Sequence, residues 1–152
     1  MRTFTSADDI VGSVGQELGV SDWVKVTQKQ VDTFAEATGD HQWIHVDVDR
    51  AQRESPFGGP IAHGYLSLSL LPMLGWQIYT IEGAKMGINY GSNKVRFPSP
   101  VPVGSRVRLR STLQNAEVLP DGAVQLTVNQ VLEIEGHPKP ALVAETLSRV
   151  AF

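Results

Sequence analysis

No cysteine occurs anywhere in the 152 residues. That excludes a disulfide framework and a thiol nucleophile, and it fits a reducing compartment. Nor is there an excess of positive charge. The 13 Lys and Arg stand against 16 Asp and Glu, for a formal net charge of −3, so no nucleic acid partner is expected and any anionic ligand must be held by local groups. Long apolar runs are missing as well. The longest, Tyr65 to Tyr79, is interrupted by Ser67, Ser69, Pro72, Gly75 and Gln77. It is too short and too broken to span a bilayer, so no membrane association is expected. The opening Met1-Arg2-Thr3-Phe4-Thr5-Ser6 lacks the apolar stretch of a secretory signal, and Arg149-Val150-Ala151-Phe152 is not a peroxisomal tripeptide. The expected location is the cytoplasm. There is no internal repeat, low-complexity tract or Gly/Ser linker, so residues 1–152 are expected to form a single domain.

What remains is a composition close to globular averages, with 41% hydrophobic and 19% charged residues, in a chain long enough to bury a core without a metal or disulfide staple. Thr27-Gln28-Lys29-Gln30 has the form of a capping box and predicts a helix start. Val31, Phe34, Ala35 and Thr38 recur at helical spacing, and Gly39 supplies a left-handed stop. From Asp40 to Pro60 the chain is polar and rich in Gly and Pro, with at most one short helix around Asp49 to Glu54. A long loop in a small domain is usually functional. The stretch from His63 to Trp76 is apolar on nearly all sides, which predicts a helix buried along most of its length.

The second half alternates in twos. Val107, Leu109 and Leu113 interleave with Arg106, Arg108, Arg110 and Thr112, while Val124, Leu126, Val128, Leu132 and Ile134 interleave with mostly polar neighbours. Pro120-Asp121-Gly122 between the runs predicts a turn and an antiparallel hairpin. Further strands fit Lys85 to Phe97, Pro140 to Phe152 and an early one around Gly15 to Val26. The order is strand, short helix, loop, buried helix, four strands. The simplest packing is α+β: an antiparallel β-sheet wrapped around a long central buried α-helix, which is the hot-dog fold.

Two segments carry candidate chemistry. In Gly39-Asp40-His41-Gln42-Trp43-Ile44-His45-Val46-Asp47, the Asp40 carboxylate and the His45 imidazole can share the removal of one proton and the delivery of another near neutral pH. Alone the pair is weak evidence, since loop Asp and His residues commonly bond the nearby backbone. In Phe57-Gly58-Gly59-Pro60-Ile61-Ala62-His63-Gly64, free amides at the start of the buried helix suit an oxygen that gains negative charge, and Gly64 N–H is the oxyanion candidate. The alternative is a glycine-rich turn needed only for chain geometry.

Together these segments resemble the MaoC-like (R)-specific enoyl-CoA hydratases, a hot-dog family. Gly39, Asp40, Ile44, His45 and Asp47 match its Gly-Asp-x-Asn-Pro-hydrophobic-His-x-Asp pattern, and Ala62-His63-Gly64 matches its helix start roughly twenty residues later. Asn93-Lys94-Val95-Arg96-Phe97-Pro98-Ser99-Pro100-Val101 is similar to its Val-Arg-Phe strand and following turn. The resemblance covers nearly the whole chain. It implies hydration of a trans-2-enoyl-CoA to a (3R)-hydroxyacyl-CoA, reversible as a dehydration, with Asp40 and His45 catalytic and Gly64 N–H on the thioester carbonyl. It also implies a homodimer, an acyl-CoA substrate and no cofactor, CoA entering only as part of that substrate. The chain departs from the pattern where Gln42-Trp43 replaces Asn-Pro. Gln42 keeps an amide to help hold water or substrate, while Trp43 either lines the acyl pocket or packs the loop onto the domain.

Other residues take plainer readings. His41 and His63 with His45 and Asp40 invite a metal, but no spacing is typical of zinc and the resembled family uses none. Arg106, Arg108 and Arg110, or Lys94 and Arg96, can touch CoA phosphates, but alternating charges on a strand are usually its solvated face. Ser67 and Ser69 lack a nucleophile-elbow sequence, and His137 reads as a turn residue. Two rival functions remain: a hot-dog acyl-CoA thioesterase, which commonly uses a carboxylate without the paired histidine, and a noncatalytic acyl-CoA-binding or partner subunit.

Overall fold

The computed structural model describes residues 1–152. Its elements in chain order are β1 (Arg2–Phe4), α1 (Ala7–Val11), β2 (Glu17–Val20), β3 (Val24–Lys25), α2 (Gln28–Thr38), α3 (Trp43–Val46), α4 (Val48–Glu54), α5 (Gly64–Ser69), α6 (Leu71–Gly75), β4 (Tyr79–Ile81), β5 (Met86–Arg96), β6 (Arg106–Val118), β7 (Val124–Ile134) and β8 (Leu142–Ala151). The main sheet is antiparallel with order β2-β6-β7-β8-β5, β3 continuing beside β2 on β6. Its central hairpin turns where Asp121 Oδ1 accepts from Ala123 N at 3.0 Å and Gly122 takes φ 84°. The predicted alternation places Val107, Leu109, Leu113, Val124, Leu126, Val128, Leu132 and Ile134 on the inner face, each at most 2% exposed.

That face closes on Leu66 of α5, Leu71 and Leu74 of α6 and Leu70 between the two, and one apolar cluster runs from Phe4 to Val150. The sheet wraps a central helical unit, as the hot-dog fold requires, with two differences from the expected long buried helix. The unit is two short segments, because Pro72 has no N–H to donate to the turn behind it. One flank is also open: Tyr65 is 71% and Trp76 75% exposed. The stretch after Gly39 carries more structure than a loop with one helix. A single turn, α3, precedes α4, closed by Asp47 N donating to Trp43 O at 3.0 Å, and Asp47 Oδ1 then caps α4 at Arg50 N. One turn is too short to leave a periodic signal. The same holds for β1, β4 and α1, which the sequence does not announce; β1 and β4 form a separate parallel pair of three residues each.

Candidate active site

Helix α2 delivers the first residue. Thr27 Oγ1 accepts from Gln30 N at 3.2 Å at its start, and Gly39 at φ 80° ends it, a conformation that costs a side-chain-bearing residue about 1–2 kcal/mol. The reversal leaves Asp40 exposed at the helix end, its Oδ1 accepting from Gln42 N at 3.3 Å.

His45 is 6% exposed on α3 and is held from two sides. Gln28 Nε2 donates to its backbone carbonyl at 2.8 Å, and its ring Nδ1 lies 2.6 Å from Ile61 O. A carbonyl only accepts, so the proton is on Nδ1 and Nε2 keeps its lone pair. Burial pushes the His45 imidazole below its ordinary value of 6.5. The Ile61 carbonyl opposes that shift, the neighbouring His63 reinforces it, and Asp40 opposes it again. The net direction keeps His45 neutral at pH 7, as a general base needs.

The segment behind His45 is fastened to two elements at once. Ile61 N donates to Ile44 O at 3.0 Å, Ala62 N to Val101 O at 2.8 Å and Val103 N to Pro60 O at 3.0 Å. This places His63, 2% exposed, beside His45 with ring centroids 3.9 Å apart and planes at 27°. Phe34 packs on the same ring at 4.9 Å. His63 Nε2 bonds Asp40 O at 2.9 Å, and its Nδ1 is buried without a partner. The next residue, Gly64, opens α5 with no backbone acceptor for its amide. A Cβ there would stand 3.2 Å from the Phe97 ring, so a side chain at this position would need that ring to give way by a few tenths of an ångström.

Asp40, His45 and His63 therefore form one cluster, with a carboxylate oxygen and one nitrogen from each ring within 4.8 Å of one another. For both imidazoles to bind one ion, their in-plane lone pairs must converge at roughly 2 Å. Nearly parallel stacked planes do not converge there, so the arrangement suits proton transfer better than metal binding. Gln42 is exposed and its side chain caps nothing. Trp43 lies half-buried with the Arg50 guanidinium of α4 over its ring at 4.3 Å.

Arg106, Arg108 and Arg110 are engaged by Glu135, Glu133 and Glu17. Burial would raise the Glu133 carboxyl, but bonds from Arg108 and Arg110 outweigh it and hold it low. Arg96 donates to Val95 O, Ser69 Oγ to Tyr65 O, and His137 N closes a turn on Ile134 O. Residues that sequence reasoning passed over, namely Gln28, Phe34, Ile61, His63, Phe97 and Val101, are the frame of the site. All but Phe34 stood inside quoted segments, without a role in the site. A cavity of about 700 Å³ begins one turn along α5 from Gly64, with Leu68, Leu71, Trp76, Leu147 and Val150 on its walls.

Comparison with known proteins identifies the family and agrees with the fold. A family model described as "MaoC like domain" matches residues 9–133. The chain is 57% identical over 149 residues to 3-hydroxyacyl-thioester dehydratase Z of Mycobacterium tuberculosis, covering 98% of each. Among solved structures, it superposes on the (R)-hydratase from A. caviae involved in PHA biosynthesis with TM-score 0.68 and 25% identity, covering 89% of this chain and 94% of that one. It also superposes on a monoamine oxidase regulatory protein from Archaeoglobus fulgius with TM-score 0.80 and 22% identity, covering 98% and 95%. With sheet, helical unit and family model in agreement, the chain belongs to the MaoC-like family and is a hydratase/dehydratase of that type on a hot-dog fold.

Proposed function

We propose that this protein is an (R)-specific enoyl-CoA hydratase, adding water to trans-2-enoyl-CoA to give (3R)-hydroxyacyl-CoA and running in reverse as a dehydratase. The observation that carries this reading is the His45 ring, locked with its proton on Nδ1 against Ile61 O and clustered with the Asp40 carboxylate beside the free Gly64 amide. The thioester carbonyl accepts from Gly64 N–H, which draws electron density from the double bond and makes C3 electrophilic. Water lies between Asp40 and His45, with Gln42 near its entry. As its oxygen bonds C3, His45 Nε2 takes the proton; Asp40, entering this step as the carboxylic acid, delivers its proton to C2 on the same face, and the proton on His45 then passes to the Asp40 carboxylate to restore the pair. The acyl tail continues along α5 into the cavity bounded by Leu68 and Leu147.

This makes the protein a cytoplasmic enzyme of fatty-acid metabolism with no resident cofactor, its substrate an acyl-CoA thioester. No helix is long and apolar enough to cross a membrane. We also propose a homodimer. β5 bonds β8 on one side only, and an open eleven-residue edge strand is a template for a second copy.

Incubation with crotonyl-CoA tests the reaction, following absorbance of the conjugated thioester together with free thiol. Absorbance loss without thiol is expected. Thiol release would identify a thioesterase instead, and binding without turnover a noncatalytic subunit.

A further inference from the structure

We propose that His63 is a positioning residue for the Asp40/His45 pair, its Nε2–H pinning the Asp40 carbonyl while its ring backs the His45 imidazole; this rests on the hydratase reading above. Three contacts converge on one side chain that is 2% exposed. Nε2 is 2.9 Å from Asp40 O, and since that carbonyl only accepts, the proton is on Nε2. The ring centroid lies 3.9 Å from that of His45 and 4.9 Å from that of Phe34. His63 thus ties the exposed end of α2 to the start of α5, 23 residues apart in sequence, and sets the plane in which His45 must present Nε2.

The remaining nitrogen shows what the imidazole is for. Nδ1 is buried with no partner, and an unpaired buried polar atom lowers stability. A phenylalanine would pack against Phe34 and His45 without that penalty. The only thing the imidazole adds over phenylalanine is the Nε2 donor, and its only acceptor is the backbone of a proposed catalytic residue. The two histidines therefore carry opposite tautomers, His45 protonated on Nδ1 and His63 on Nε2. Asp40 is exposed, and its other bonds are long and local, from Gln42 N to its Oδ1 at 3.3 Å and from its own N–H to Thr38 Oγ1 at 3.4 Å, so the His63 bond is its tie to the start of α5.

Two variants separate donor from packing. His63→Phe keeps the aromatic stack and loses the donor; His63→Gln keeps an N–H near the Nε2 position and loses the stack. On crotonyl-CoA, His63→Phe is expected to lower kcat about tenfold to a hundredfold with KM within about threefold, as for a small displacement of a catalytic group. Its melting temperature should not fall. His63→Gln should recover most of kcat while melting lower. An unchanged kcat in His63→Phe, or equal losses in both variants, would overturn the proposal. Nitrogen-15 NMR of the wild-type imidazoles stands apart from turnover: a His63 ring protonated on Nδ1 would also overturn it. A wild-type protein inactive on crotonyl-CoA but showing the two opposite tautomers would refute the hydratase reading while leaving the His63 bond intact.

Discussion

Asp40→Asn and His45→Gln each keep the shape of the side chain and remove the group that moves a proton. Both variants are expected to stay folded by circular dichroism and to lose roughly a hundredfold to ten-thousandfold in hydration rate, the range for removing an acid or base. Near-normal turnover in either would sink the mechanism. The direction of the His45 shift adds a pH prediction. Its folded pKa lies below 6.5, so the free enzyme keeps the base form above that value and loses it only as pH falls through the lowered one. The acid limb of kcat/KM should therefore lie below 6.5, and a limb above it would exclude His45 as the base. The linkage to stability has the matching sign. The unfolded chain takes up this proton first, so folding weakens as pH drops below about 6.5, and this component should disappear from the pH dependence of melting in His45→Gln. At this scale Asp40 and His45 were legible, because their spacing within one short segment is local. His63 read as a bystander, since its partners come from α2, α3 and Asp40, which only chain reversal brings together.

Helix boundaries decide where those residues stand. Gly39→Ala would force a side chain into φ 80°, which predicts a melting temperature lower by roughly 2–8 °C and a displaced Asp40, measurable as a kcat loss greater than that of an exposed-surface control. Gly64→Ala would bring its Cβ to 3.2 Å from the Phe97 ring. That ring is 44% exposed and can swing outward, so the variant should fold but hydrate about tenfold more slowly, and Phe97→Leu in the same chain should restore part of the rate. The start and stop of α2 and the β6–β7 hairpin were readable because caps and turns are local chemistry. The single turn α3, the break at Pro72 and the short pair β1 and β4 were not. Elements of three to five residues carry almost no periodicity, and packing selects them instead.

At the scale of the whole chain, apolar groups stay uncovered along the free edge of β5 and on the flank of the helical unit. Met86, Ile88 and Tyr90 on β5 are 54%, 49% and 54% exposed, and Trp76 on the open flank of the helical unit is 75% exposed. A standard interface takes about 800 Å² from each partner, and in the proposed homodimer these exposed groups would supply part of its apolar area. Sedimentation should give a dimer, and Ile88→Lys with Trp76→Glu a monomer; a wild-type monomer at micromolar concentration would refute the homodimer. At this scale the sequence by itself determined the α+β class, the order of the major elements and the two motifs, because alternation, capping and turn residues act over a few positions. Only the tertiary structure decided that Ile61 holds the Asp40/His45 pair's imidazole, that His63 backs it and that Phe97 crowds Gly64. Those contacts join residues sixteen or more positions apart, and their geometry exists only once the sheet has closed on α5 and α6.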